Sequence, residues 1–361
     1  NLSTGVGGTS GEVGDEFFRH KIRQDRSGRS GDEARWLGVT NDDIMKMEWS
    51  SEARELATTI VDAFDQGFVE LEVVGEDGRG GPALREFATH CASIVKASDE
   101  LCELLQSYRS CIAVIRQVRW RRHGRPFDES SIARLKGVVD GDALDYVMRA
   151  ASNGTEQRTD VSTPTEPRNV APHKSLLVQL PVAWYSVFKT AAAVGETLWL
   201  SAKSAKWLQD VHLSPLAAVE KSDPSSGAKT GEFRIITDLK YNGDGNPGWN
   251  EMIDSERFPP TVCPALVDLA VTARYLAYMW PGVPLGMAKR DAIKAFQQLP
   301  SALSDVNSTC TAMPSLFPLE SEKFPAVTNV ASALVFGAKH SPTIWGMAGA
   351  VAVAAARNTG P

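Results

Sequence analysis

The sequence predicts an α+β protein, helical in its first half and mixed in its second. Three observations carry that expectation. Apolar residues recur at helical spacing between Asp32 and Ala151. Beyond a polar, proline-rich stretch, short apolar runs bounded by Gly, Asn and Pro are interleaved with helical segments. These strands and helices follow no regular βαβ order, so a doubly wound parallel sheet is not expected. With 43% apolar residues in a chain of 361, there is material for a substantial core.

Residues 1–31 are rich in Gly, Ser and charge and lack apolar periodicity, which reads as a disordered tail. The helical region spans 32–151. "NDD" at Asn41–Asp43 reads as a helix start. "SSEARELATTIVDAFDQGF" places a capping Ser and a Glu ahead of an apolar-periodic segment that should stop at Gly67. The run from "GGPALREF" to "WRRHGRP" predicts one long or two consecutive amphipathic helices ended by Gly124 and Pro126. "DGDALDYVMRAAS" closes the region, and residues 152–173 read as a linker.

From 174 to 361 the texture changes. "PVAWYSVFKTAAAVGETLWLSAKSAKWLQD" reads as helical, followed by a strand "LSPLAAV", a polar loop "EKSDPSSGAKTGE" and a strand "FRIITDL". After the Gly/Asn-rich turn "KYNGDGNPGWN" come a helix "ALVDLAVTARYLAYMW", a strand ending at Asp291 and a helical "AIKAFQQL". A hairpin in "FPAVTNVASALVFG" and a last helix from "SPTIWGMAGA" complete the order. The apolar run around the first of these helices carries Asp268 and Arg274 and is cut by Pro281 and Pro284, so it reads as a buried helix and strand, not a membrane span.

A formal net charge of −6 argues against a protein coated in positive field, so nucleic-acid contact must come from local clusters. The densest is "IRQVRWRRHGR", Ile115–Arg125. It suits phosphate contact with stacking on Trp120, or a helix end whose arginines favour the dipole while Trp120 packs underneath. The second is the better reading, because no fold-level likeness supports the first. Cys91, Cys102, Cys111, Cys263 and Cys310 form an odd set with no C-x-x-C pair, which fits reduced thiols in an intracellular protein, without structural metal. The start at Asn1 shows no basic and apolar signal pattern.

Asp291 in "KRDAIKAFQQLP" sets the chemical question. Alone, it reads as a helix cap. In company, it reads as a carboxylate holding a divalent cation over a transferring phosphoryl group. The company is present: "LSPLAAVEK", "FRIITDLKYN", "MAKRDAIKAFQQLP" and "LVFGAKHSPTIW" follow one another between Leu213 and Trp345, somewhat over a third of the chain. In that order they resemble the fingers and palm of a reverse transcriptase, the RNA-directed DNA polymerase of retroelements. "FRIITDLKYNGDGNPGWNEMI" is particularly similar to the tyrosine-recombinase, DIRS-like group.

The resemblance implies that 174–361 is the fingers and a partial palm, and it assigns roles. Asp291 would be the first metal-binding, catalytic aspartate for Mg²⁺ or Mn²⁺, with the backbone of neighbours such as Ala292 beside the nucleotide. Phe296 would lie under the incoming sugar and exclude a 2′-hydroxyl by a clash. Arg234 would stack on the base and touch phosphates, work that a planar guanidinium does better than lysine. Lys221 or Lys229 would bind phosphate, and Asp238 would brace the fingers. Phe336, Gly337, Lys339 and Ser341 would position template and nucleotide, with Pro342 opening the next helix and His340 at the surface. The partners implied are an RNA or DNA template-primer and deoxynucleoside triphosphates.

One departure bears on activity. The Tyr-x-Asp-Asp hairpin and the thumb of that family do not occur before Pro361; the hairpin would be expected just beyond it, and the chain alone is not expected to polymerise. The alternative is a non-catalytic nucleic-acid-binding or scaffold relic of the same fold. An RNA-dependent RNA polymerase ranks lower, because a bulky Phe296 would obstruct a ribose.

Overall fold

The computed structural model describes residues 32, 35–125, 129–137, 141–156, 170–194, 196–208, 210–242, 247–253, 266–284, 299–308, 310–333 and 337–358. The expected tail 1–31 and the strand and helix expected around Asp291 lie outside the described residues. What is described is a mixed α+β structure, as the sequence indicates.

The first half is helical: α1 (Asn41–Lys46), α2 (Ser51–Asp65), α3 (Glu70–Val74), α4 (Leu84–Leu105), α5 (Tyr108–His123), α6 (Glu129–Ala133) and α7 (Asp142–Asn153). The starts are written in the sequence. Thr40 and Asp43 form a reciprocal capping box on α1, and the Ser50 hydroxyl accepts from the Ala53 amide on α2. In α2 the buried residues Ala53, Ala57, Ile60, Val61 and Phe64 recur at helical spacing and form one face. Gln106, at a φ of 52°, separates α4 from α5, so the long apolar run is two helices.

The second half holds α8 (Lys174–Val178), α9 (Leu180–Val194), β1 (Thr197–Leu200), β2 (Leu213–Ser214), β3 (Leu216–Ser222), β4 (Lys229–Thr237), α10 (Trp249–Met252), α11 (Leu266–Met279), β5 (Cys310–Met313), β6 (Val327–Ala331) and α12 (Ser341–Asn358). One sheet runs β1-β6-β5-β2, antiparallel except for the parallel β5/β2 edge; β3 and β4 form a separate antiparallel hairpin.

Three expectations need correction. The helix predicted over residues 181–210 stops at Val194, and Thr197–Leu200 is a strand paired with β6. Its four residues are all buried, so no alternation marked it in the sequence. The hairpin predicted within residues 324–337 does not form, because β6 pairs with β1 and β5. Helix α11, expected to be buried, is largely exposed: Tyr278 is 82% and Val271 62% accessible.

A single apolar core joins both halves. Phe64 meets Trp199 edge-on at 5.1 Å, and Phe87 meets Phe188 at 5.3 Å, so α2, α4, α9 and β1 share one aromatic cluster. Val170 and Leu176 enter the same core, so the expected linker divides the sequence and not the packing. Helix α5 lies at the centre, with every residue from Tyr108 to Gln117 buried. Cys91, Cys102, Cys111 and Cys310 are buried free thiols, and burial pushes the Cys91 thiol well up, which makes it unreactive. No helix among the described residues is long and apolar enough to cross a membrane.

Candidate functional site

The β3/β4 hairpin carries three of the described candidate residues, Lys221, Lys229 and Arg234. Its strands are made by "LAAVEKS" and "KTGEFRIIT", and its loop is fixed by Asp223. The Asp223 carboxylate accepts from the Ser225 and Ser226 amides at 2.8 Å, and from both hydroxyls. Those bonds, the Ser225 hydroxyl first, hold its pKa down at about 2. At the other end, Ile235 packs on the main core while the Asp238 amide donates to Pro215 O, anchoring the root.

Alternation along β4 sorts the side chains. Thr230, Glu232, Arg234 and Ile236 share one face with Val219 and Lys221 of β3, around a concavity of about 570 Å³. Arg234 stands opposite Val219, exposed, and its guanidinium donates no hydrogen bond among the described residues. Lys221 Nζ lies 2.8 Å from Glu232 Oε2. Lys229 does not line the concavity; its Nζ is 3.4 Å from Glu220 O.

A second candidate segment meets the hairpin root. Gly337, at a φ of 100°, sets its backbone against Thr237 O, 3.5 Å from where a Cβ would lie. Asn250 clamps this turn: its Nδ2 donates to Gly337 O at 2.9 Å, and its Oδ1 accepts from the Lys339 amide at 2.8 Å. The Asn250 amide in turn donates to Leu239 O, just beyond β4. Under the clamp, Leu239, Trp249, Met252, Ile253 and Ala338 form a small apolar cluster. Gly248 is required here, since a Cβ would come within 2.6 Å of the Lys240 backbone. Lys339 is exposed beside this turn.

The Asp238 carboxylate is 3.1 Å from His173 Nε2 and accepts from the Lys240 amide. Two other placements differ from expectation. Ser341 is fully buried at the start of α12, so its hydroxyl is not offered to a nucleic-acid strand. His340 is 2% exposed, not a surface residue, and burial pulls its pKa down to about 4. A histidine buried neutral contributes stability that is full above its unfolded value of about 6.5 and is lost as pH falls from there toward 4. Denaturant unfolding is expected to show a loss of up to about 3 kcal/mol across that window. His340→Gln should flatten that part of the pH dependence; an unchanged slope would remove His340 as its source.

Most cations of the basic run 115–125 are paired with carboxylates of this chain, Arg116 in the core and the others toward the surface. Arg116 is fully buried against Glu196 at 2.8 Å, and Trp120 Nε1 donates to the same carboxylate at 2.5 Å. Arg119 and Arg122 pair with Asp65 and Asp62 at the end of α2, His123 with Asp65 at 2.9 Å, and Arg125 with Asp42 at 2.6 Å. The acidic end of α2 thus neutralises the basic end of α5, and the helix-end reading describes this segment better than phosphate contact.

Asp291, Ala292, Phe296 and Phe336 lie outside the described residues. Sequence reasoning did not single out Glu232, or Asn250 as a clamp. The Asn250 signal was its place after Gly248 in a turn-rich run; Glu232 had only the alternation that puts it on the Arg234 face. Comparison of the chain with protein-family models, with curated proteins and with solved structures finds no match.

Proposed function

We propose that this chain supplies the nucleotide-binding fingers and part of the palm of an RNA-directed DNA polymerase acting on a template-primer. The observation that carries the reading is Arg234, exposed on the concave face of the hairpin with no side-chain partner among the described residues. An unpaired arginine on a rigid two-stranded platform is a preorganised receptor for phosphate and for the flat face of a base. The reaction would be attack of a primer 3′-hydroxyl on the α-phosphorus of a deoxynucleoside triphosphate, with pyrophosphate leaving. Such transfers are driven by positioning and charge stabilisation. In this reading Arg234 and a hairpin lysine orient base and phosphates, Phe296 screens the sugar, and Lys339 stands near the template path.

Mg²⁺ or Mn²⁺ would neutralise developing charge on the phosphates. Asp291, the residue this reading assigns to such an ion, lies outside the described residues. A lone Asp291 cannot hold two hard cations tightly, and the described residues contain no group of three or more acidic, His or Cys side chains able to hold one. The roles assigned to the described residues are therefore binding and orientation.

Fluorescence anisotropy of a labelled deoxynucleoside triphosphate tests the reading. Loss of a charge-assisted contact is worth about 1.5–3 kcal/mol, so Arg234→Ala is expected to weaken binding about 10- to 100-fold. Arg234→Lys should restore only part of it, because an ammonium does not stack as a guanidinium does. Equal affinity of the wild type and Arg234→Ala would sink the proposal.

A further inference from the structure

The concavity on the hairpin carries more negative than positive groups, which is unexpected for a phosphate site. Glu220, Asp223 and Glu232 line it against Lys221 and Arg234. The three carboxylates are not equivalent. Glu220 Oε1 accepts from the Gly231 amide at 3.1 Å, and Asp223 is tied to the amides and hydroxyls of Ser225 and Ser226. Both are built into the hairpin backbone. The Glu232 carboxylate is held only by Lys221 among the described residues, at 2.8 Å. The pair is solvent-facing, with the lysine side chain 42% and the glutamate 69% exposed. Exposed pairs of this kind are weak and easily exchanged for another anion.

We propose that Glu232 is an internal stand-in for phosphate: it holds Lys221 on the Arg234 face when the site is empty and releases it to the triphosphate of an incoming nucleotide. The inference rests on the nucleotide-binding reading of the hairpin and adds a positioning residue and a selectivity device to it. Lys221, and not Lys229, is the phosphate lysine, because only Lys221 shares the concavity with Arg234. Holding Lys221 extended toward Glu232 keeps its ammonium on the correct face. The carboxylate also opposes weakly charged anions. A polyphosphate, carrying several charges, outcompetes one carboxylate for the lysine; a monoanion does not.

Titration of the 361-residue chain with inorganic triphosphate, a deoxynucleoside triphosphate and the matching unphosphorylated deoxynucleoside provides the test. Glu232→Gln is expected to tighten both triphosphate ligands about 3- to 10-fold, the scale of one removed competing charge in solvent, and to leave the deoxynucleoside unchanged. Glu232→Asp, which keeps the charge, should behave as the wild type. In a Lys221→Met background the gain from Glu232→Gln should vanish. No tightening, or tightening that persists without Lys221, overturns the proposal. If Arg234→Ala leaves nucleotide binding unchanged while Glu232→Gln still tightens inorganic triphosphate through Lys221, the polymerase reading fails and the stand-in role survives.

Discussion

Replacing Glu196 with alanine is expected to destabilise the protein by about 3–5 kcal/mol, the penalty for stranding a buried charge. Glu196 is 1% exposed and sits between α9 and β1. One carboxylate oxygen takes Arg116 Nε at 2.8 Å and the other takes Trp120 Nε1 at 2.5 Å. Arg116 continues to Ser301 O at 3.0 Å and Ser332 O at 3.4 Å, so it ties the central helix to the loop leading into β5 and to the end of β6. Without the carboxylate, a guanidinium with no exposed surface keeps only carbonyl partners. A loss of that size is a large share of the 5–15 kcal/mol that holds a typical domain. Urea titration followed by tryptophan fluorescence reads it. The control is the double change Arg116→Met with Glu196→Leu, which removes both charges and should recover most of the loss. A double variant no more stable than the single one would mean that shape, not charge, fixes this node.

Gly154→Ala is the second large effect. Gly154 closes α7 at a φ of 82° and a ψ of 168°, a region open essentially to glycine alone. A Cβ there would lie 2.6 Å from Ala302 N and 2.7 Å from Ser301 C, both backbone atoms with nowhere to move. The close approach exists because Thr155 bridges to this segment: its amide donates to Pro300 O at 2.7 Å and its carbonyl accepts from Ala302 at 2.9 Å. Backbone strain of about 1–3 kcal/mol and overpacking of about 1–3 kcal/mol place the expected loss near 3–5 kcal/mol. Gly124→Ala isolates the contribution of the contact. Gly124 has nearly the same backbone, φ 79° and ψ 165°, with nothing within 4 Å of its Cβ position. That variant should lose only the strain, about 1–3 kcal/mol. Equal losses at the two glycines in thermal unfolding would show that the 300–302 backbone yields to the methyl group.

The hairpin that carries the candidate site was legible in outline: the predicted strand 213–219 is split at Pro215 between β2 and β3, and both ends of the predicted loop 220–232 are strand. "LSPLAAV" is a short apolar run, "FRIITDL" carries the β-branched residues of a strand, and "DPSSG" supplies a turn. Arg234 falls on the predicted strand, whereas Lys221 and Lys229, expected in the loop, lie on β3 and β4. Strand β1 was not legible, because "TLWL" follows an equally apolar helix and is buried on both faces, leaving no period to separate the two. His340 and Ser341 looked like surface residues because polar side chains usually are. Their burial comes from packing around the start of α12 that local sequence does not encode.

What the sequence determined by itself was local: helix starts at Asn41 and in "SSEARE", the break at Gly124, and the strand–turn–strand character of the hairpin. Those features arise within a few residues, where capping bonds and side-chain period act. The tertiary structure alone decided what each charge does. Arg116 and Arg234 look alike in sequence; one is buried on Glu196 and the other faces an open concavity. The partner that distinguishes them lies far along the chain, and charge pairing depends on distance in space, not on distance in sequence.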